Sequence, residues 1–200
     1  MQELQPGLWT WTASHPDWTS PEHGWGPVVR SYALDAGAVF VLVDPLAPPP
    51  LVEEFAAGRE AVVLLTVLDH ERSAAECVER LGARVYAPHA VVAELATPAA
   101  GYAVGDALPG GVEACTGFWP NEATLWLARH RALVTGDVLI AEHGLSISPD
   151  DWLGDAATPE QVREGLRRLL DLPVELVLPT HGDPIVRDAH AALAAALGAA

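Results

Sequence analysis

An apolar run ends at Thr66, and four ionisable residues then follow one another: Asp69, His70, Glu71 and Arg72. A buried strand that stops by releasing such residues is a common way to build a site, because loops at strand ends carry function on a rigid frame. Here the imidazole suits acid/base work, Glu71 suits metal ligation, and Arg72 suits a carboxylate or another anion. Each has a structural role open to it as well. His70 could cap the helix that starts near Ser73, Glu71 could complement that helix's dipole, and Arg72 could form an ion pair. Asp44, which closes the strand "AVFVLVD", reads as a loop acceptor.

The elements that must position these residues alternate in a definite order. "GLWTWT", "VVRSYAL" and "AVFVLVD" alternate or run apolar in the manner of strands and open the chain as a meander. A short helix near 50–57, a buried strand at 61–66 and a helix from Ser73 to Leu81, stopped by Gly82, come next. "RVYAP" resumes a strand, "GDALPGG" is turn chemistry, and "GVEACTG", "ATLWLA" and "RALVTGD" read as three consecutive strands. A helix over 158–170 begins Thr-Pro-Glu, with an N-cap, a first-turn proline and an early acid in favoured order. The strand in "VELVLPTHGDP" and an Ala-rich last helix complete the chain. This order predicts an α+β fold: two mixed sheets packed face to face with helices outside each, an αββα sandwich over residues 1–200 as one domain.

Composition narrows the classes of function. Half of the 200 residues are hydrophobic, enough to bury a sizeable core and to exclude a disordered chain. The net charge is -16, and all eleven basic residues are Arg. That balance opposes nucleic acid and anionic membrane as partners, since both need clustered positive charge. No apolar run approaches the roughly 20 residues of a membrane helix, and the N-terminus lacks a secretory pattern, so a cytoplasmic location is expected. Cys77 and Cys115 read as reduced thiols. The seven Trp fit caps on the core, an aromatic-lined pocket or the subunit face of a homo-oligomer.

The segments "VLVDP" (41–45), "LLTVLDHERSA" (64–74), "ALVTGDVL" (132–139) and "VLPTHGDP" (177–184) resemble, in order and spacing, the successive landmarks of the metallo-β-lactamase superfamily. The resemblance spans nearly the whole chain. It implies a dinuclear, usually zinc, hydrolase with a T-H-x-H-x-D-H motif, a later His, an Asp in a "TGD"-like loop and a final His. Carried over from Thr66, the His slots fall on Val67, Asp69 and Arg72, and the Asp slot on Glu71. The later His slot falls near Phe118 or Trp119. Asp137 and His181 stand as the family has them and are the metal-ligand candidates. Val67 and the aromatics offer no lone pair, so a dinuclear zinc centre is not expected.

Three classes of function follow. One is a superfamily protein with a degraded metal site that binds a small anionic ligand at Arg72, where Arg72 replaces the lost metal as counter-charge to Asp137. A second is a hydrolase of an ester, thioester or phosphoester using one divalent metal (Zn, Mn or Fe) held by Asp69, Glu71, Asp137 and His181. A third is a non-catalytic interaction protein. His15 and His23 lie in a loop that could cover the cleft.

Overall fold

The structure, a computed structural model, describes residues 1–20, 22, 25–117, 121–153 and 157–199. Its first half is one sheet: β1 (Gln2–Gln5), β2 (Leu8–Ser14), β3 (Val28–Ala36), β4 (Val39–Val43), then helix α1 (Leu51–Ala56), β5 (Glu60–Leu64), α2 (Ala74–Leu81), β6 (Arg84–Pro88) and β7 (Ala99–Tyr102). These seven strands lie in sequence order, antiparallel from β1 to β4 and parallel from β4 to β7.

The second half begins with β8 (Ala107–Leu108), β9 (Val112–Thr116), β10 (Ala123–Leu127) and β11 (Ala132–Val134). A short pair, β12 (Leu139–Ile140) and β13 (Ser146–Ile147), follows, then α3 (Asp150–Leu153), α4 (Pro159–Leu166), β14 (Leu176–Leu178) and α5 (Ala189–Ala196). The second sheet has the order β14-β11-β10-β9-β8, with β14 parallel to β11.

Burial explains the layering. Val41, Val43, Val62 and Leu64 on one face of the first sheet meet Leu125, Leu127, Val134 and Leu178 of the second. The alternate residues Phe40, Leu42, Val63 and Leu65 pack under α1 and α2 with Val52 and Cys77. Trp126, Leu133 and Val177 pack under α4 and α5 with Val162, Leu166 and Leu193. Strands covered on both faces read as continuous apolar runs, which is why "AVFVLV" shows no alternation. The result is the expected αββα sandwich of two mixed sheets.

Local chemistry sets the boundaries. Gly82 ends α2 in the left-handed conformation at φ 63, its N–H on the Val78 carbonyl. Thr158 and Gln161 form a reciprocal capping box at the start of α4, with Pro159 in the first turn. The helix expected to run to Leu170 instead tightens after Leu166 into a 3-10 turn over Arg167–Asp171. That winding keeps Leu166 and Leu169, three residues apart, both in the core. Strands β1, β7, β8, β12 and β13 lie outside the expected set, β8 within the stretch read as turn chemistry; all are two to four residues long, too short to show a period.

One consequence of the topology makes the site. β4 and β5 are parallel neighbours, as are β11 and β14, so the loops leaving these four strand ends gather at one edge. A bridge from Val29 to His181 and the Tyr32 hydroxyl, donating to the Pro179 carbonyl at 2.6 Å, tie the two sheets together there.

Candidate metal centre and cleft

Asp44 leaves β4 in the left-handed region at φ 47, a conformation that Asp tolerates better than most residues. The turn aims its buried carboxylate across at the end of β5, where it accepts from the Thr66 N–H at 2.9 Å and the Thr66 hydroxyl at 2.7 Å. His70 follows on a single 3-10 turn, Leu68–His70, and is only 2% exposed. Its Nδ1 lies 3.0 Å from Thr66 Oγ1 and 3.0 Å from Asp44 Oδ2. The Thr66 hydrogen is committed to Asp44, so Thr66 can only accept from His70. Nδ1 must therefore carry a proton, and in the neutral ring the lone pair of Nε2 faces the cleft.

Two further groups reach that nitrogen from the second sheet. Asp137 Oδ1 lies 3.0 Å from His70 Nε2 and 3.3 Å from His181 Nε2. Despite these distances, Asp137 Oδ1 has no hydrogen-bond partner among the described residues. Atoms that crowd together without donating to one another are aimed at a common point instead. His70, Asp137 and His181 place their three ligand atoms within 4.8 Å of one another, the one such group of three or more among the described residues.

Neighbours hold each ligand in place. Glu122, at the start of β10, accepts from the N–H groups of Asp137 at 2.7 Å and Val138 at 2.8 Å, and fixes the loop after β11. Gly136 makes room for this: at φ 56, a Cβ there would sit 2.7 Å from Glu122 Oε1 and 2.9 Å from Thr66 Oγ1. Gly182 is required for the same reason, since its Cβ would lie 2.2 Å from the Ala141 carbonyl carbon. The His181 ring stands edge-on between Trp25, at 5.1 Å, and Trp152, at 5.3 Å. His15 packs on Trp25 in turn, at 5.1 Å.

The charges are strongly coupled. Burial and the Arg72 charge press His70 down, but the carboxylates of Asp137 and Asp44 outweigh them and push it up to about 9. Burial would raise Asp137, but the two imidazoles hold it well below the usual carboxylate range. Glu122 is pushed up to about 8, by burial first and then by Asp137. His70, Glu122, Asp137 and His181, with His15, Asp17, Asp69, Arg72 and Asn121, line a cleft of about 710 Å³.

Several expectations are corrected by this geometry. Asp69, His70 and Arg72 line the cleft, but Glu71 does not: its carboxylate accepts from the backbone N–H groups of Ala96 at 3.1 Å and Thr97 at 2.5 Å. The oxygen-rich set of Asp69, Glu71, Asp137 and His181 does not form; His70 joins Asp137 and His181 in its stead. Arg72 and Asp137 make no ion pair among the described residues. The Arg72 guanidinium donates to the Asp44 carbonyl at 3.3 Å, and His70 occupies the space beside Asp137. Glu122 carried no motif and was not anticipated; an acid at the start of the buried strand "ATLWL" was its signal. Phe118, Trp119 and His23 lie outside the described residues.

The fold is that of the metallo-β-lactamases. No protein-family model and no curated protein sequence matches the chain. Among solved structures it is similar to TTHA1623 in a di-iron-bound form (26% identity over 85% of this chain and 94% of that one, TM-score 0.63). It is also similar to a metallo-β-lactamase from Pontibacter korlensis (18% identity, 98% and 97% covered, TM-score 0.69). A third similar structure is the metallo-β-lactamase FIM-1 from Pseudomonas aeruginosa in its mono-zinc form (14% identity, 97% and 92% covered, TM-score 0.65). These likenesses, together with the four landmarks in order, show the metallo-β-lactamase fold in this chain. No helix among the described residues is long and apolar enough to cross a membrane.

Proposed function

We propose that this chain is a hydrolase-like protein in which the superfamily's two-metal centre is reduced to a single divalent site at His70 Nε2, Asp137 Oδ1 and His181 Nε2. The observation that carries this reading is the convergence of three ligand atoms from three separate loops, with Asp137 Oδ1 buried and without a hydrogen bond. A second ion is short of donors: of the three positions where the family has histidines, Val67 and Arg72 have no lone pair to give, and only Asp69 offers one. Two imidazoles and a carboxylate suit zinc in a catalytic site and also Fe(II) or Mn.

A divalent ion at this place would supply Lewis acidity and a bound water with its pKa lowered to about 7, the requirement for hydrolysing an ester, thioester or phosphoester at neutral pH. The chain's own residues supply the rest. Asp44 and Thr66 hold the His70 tautomer, and Glu122 holds the backbone that presents Asp137. Trp25 and Trp152 fix the His181 ring. A cleft of about 710 Å³ matches a small-molecule ligand.

The test is metal content. Protein stripped of metal and re-exposed to Zn, Mn and Fe(II) should take up one equivalent of at least one of them. Asp137→Asn and His181→Ala should each take up far less. Two tightly held ions per chain, or none, would overturn the single-site reading.

A further inference from the structure

Arg72 is forced into the cleft by its neighbours. On one side Glu71 is tied to Ala96 and Thr97; on the other, the Ser73 N–H bonds the Pro45 carbonyl at 3.0 Å and its hydroxyl accepts from Ala47 at 3.0 Å. Between these anchors Arg72 adopts φ 39, a left-handed backbone that a long side chain rarely takes. Strain of this kind, at a residue lining a cleft, is a pointer to function.

The guanidinium is poorly provided for where it lands. Its Nη1 makes one long bond to the Asp44 carbonyl, and its Nε is enclosed without a partner. Among the described residues no carboxylate lies within ion-pair distance. Of the three acids whose charges reach it, Asp44 accepts from Thr66 with both oxygens, Asp137 Oδ1 faces two imidazoles, and Asp69 makes no ion pair with it among the described residues. A guanidinium presents five donors in a planar fork that matches carboxylate and phosphate oxygens two at a time. A fork with most of its donors unspent, in the wall of a cleft, is a receptor for such a group.

We propose that the cleft binds a small molecule bearing an oxyanion, a carboxylate or a phosphate, and that Arg72 receives that group. The proposal builds on the reading of this cleft as the ligand site and names the class of ligand it takes. It does not require the metal.

The probes are inorganic phosphate and acetate, titrated calorimetrically into the full chain, both metal-free and with one equivalent of zinc. Phosphate or acetate should bind the native protein, with the stronger of the two identifying the oxyanion. Arg72→Met should weaken it about tenfold or more at unchanged zinc content. Arg72→Lys, which keeps the charge but not the fork, should fall between, and it serves as the informative variant where Arg72→Met fails to fold. Equal affinity in native and Arg72→Met protein would overturn the proposal, as would no binding of either anion to native protein. If zinc does not bind at all, the single-site reading fails. An Arg72-dependent titration of the metal-free protein would then sustain the oxyanion proposal alone.

Discussion

Asp44→Asn isolates the support behind His70. Asp44 touches no bound group; its effect on the centre runs through Thr66 and the Nδ1 face of His70, at 2.7 and 3.0 Å. Asparagine keeps the size and one acceptor oxygen but brings an NH2 and no charge. Thr66 then loses either its backbone or its hydroxyl acceptor, and the hydroxyl is freed to donate toward His70 Nδ1. The ring can flip to the tautomer with its proton on Nε2, which takes the lone pair out of the cleft. Loss of a partner that orients a ligating His lowers metal affinity about 10- to 100-fold, or about 1.4 to 2.7 kcal/mol. A chromophoric chelator competing for zinc reads this directly, with circular dichroism to show that the fold persists. Thr66→Val should act in the same direction by removing the relay while leaving the carboxylate. Zinc affinity within twofold of native in folded Asp44→Asn would refute the inference that this carboxylate sets the tautomer of His70.

Other expectations follow from contacts described above. A double-mutant cycle of Arg72→Met with Asp137→Asn, read by urea unfolding, should give a coupling below about 0.5 kcal/mol, because the two side chains do not touch; a larger coupling would restore them as an ion pair. Gly136→Ala should destabilise by about 2 kcal/mol or more in the same assay. Its φ of 56 and the 2.7 Å approach to Glu122 both oppose a Cβ, and a neutral effect would mean that the loop can yield. The Cys77 thiol, pushed up to about 12 mainly by burial, should react with iodoacetamide far more slowly in native than in urea-unfolded protein at pH 8; equal rates would show that the face under α2 opens readily.

The fold was legible because its signals are local. Apolar runs of strand length, Gly82 after a helix and Thr158-Pro159 before one each act within a few residues, and their order defined the layers. Asp137 and His181 were legible through short loops of recognisable composition. The place of Glu71 and the partner of Arg72 escape the sequence for one reason. Both sit in the motif, but what each side chain meets is decided by Ala96, Thr97, Pro45 and Asp44, far off in sequence. His70 fell in a spacer position of the motif, so that its burial against Asp44 became visible only once β4 and β5 were paired. Glu122 shows the same limit, since a lone acid at a strand start becomes the clamp on Asp137 only through tertiary packing.

The three converging atoms belong to loops that leave β5, β11 and β14, and so to both sheets. An ion gripped by all three would be a cross-link between the halves of the sandwich, closing long stretches of chain much as a covalent bridge does. Ions that bind only the folded chain raise its stability with their free concentration, by about 4 kcal/mol at a thousand times the dissociation constant. Such a molecule would soften when starved of metal and harden when supplied. Its lifetime against unfolding and proteolysis would then track the metal content of its surroundings, whatever the cleft does to its ligand.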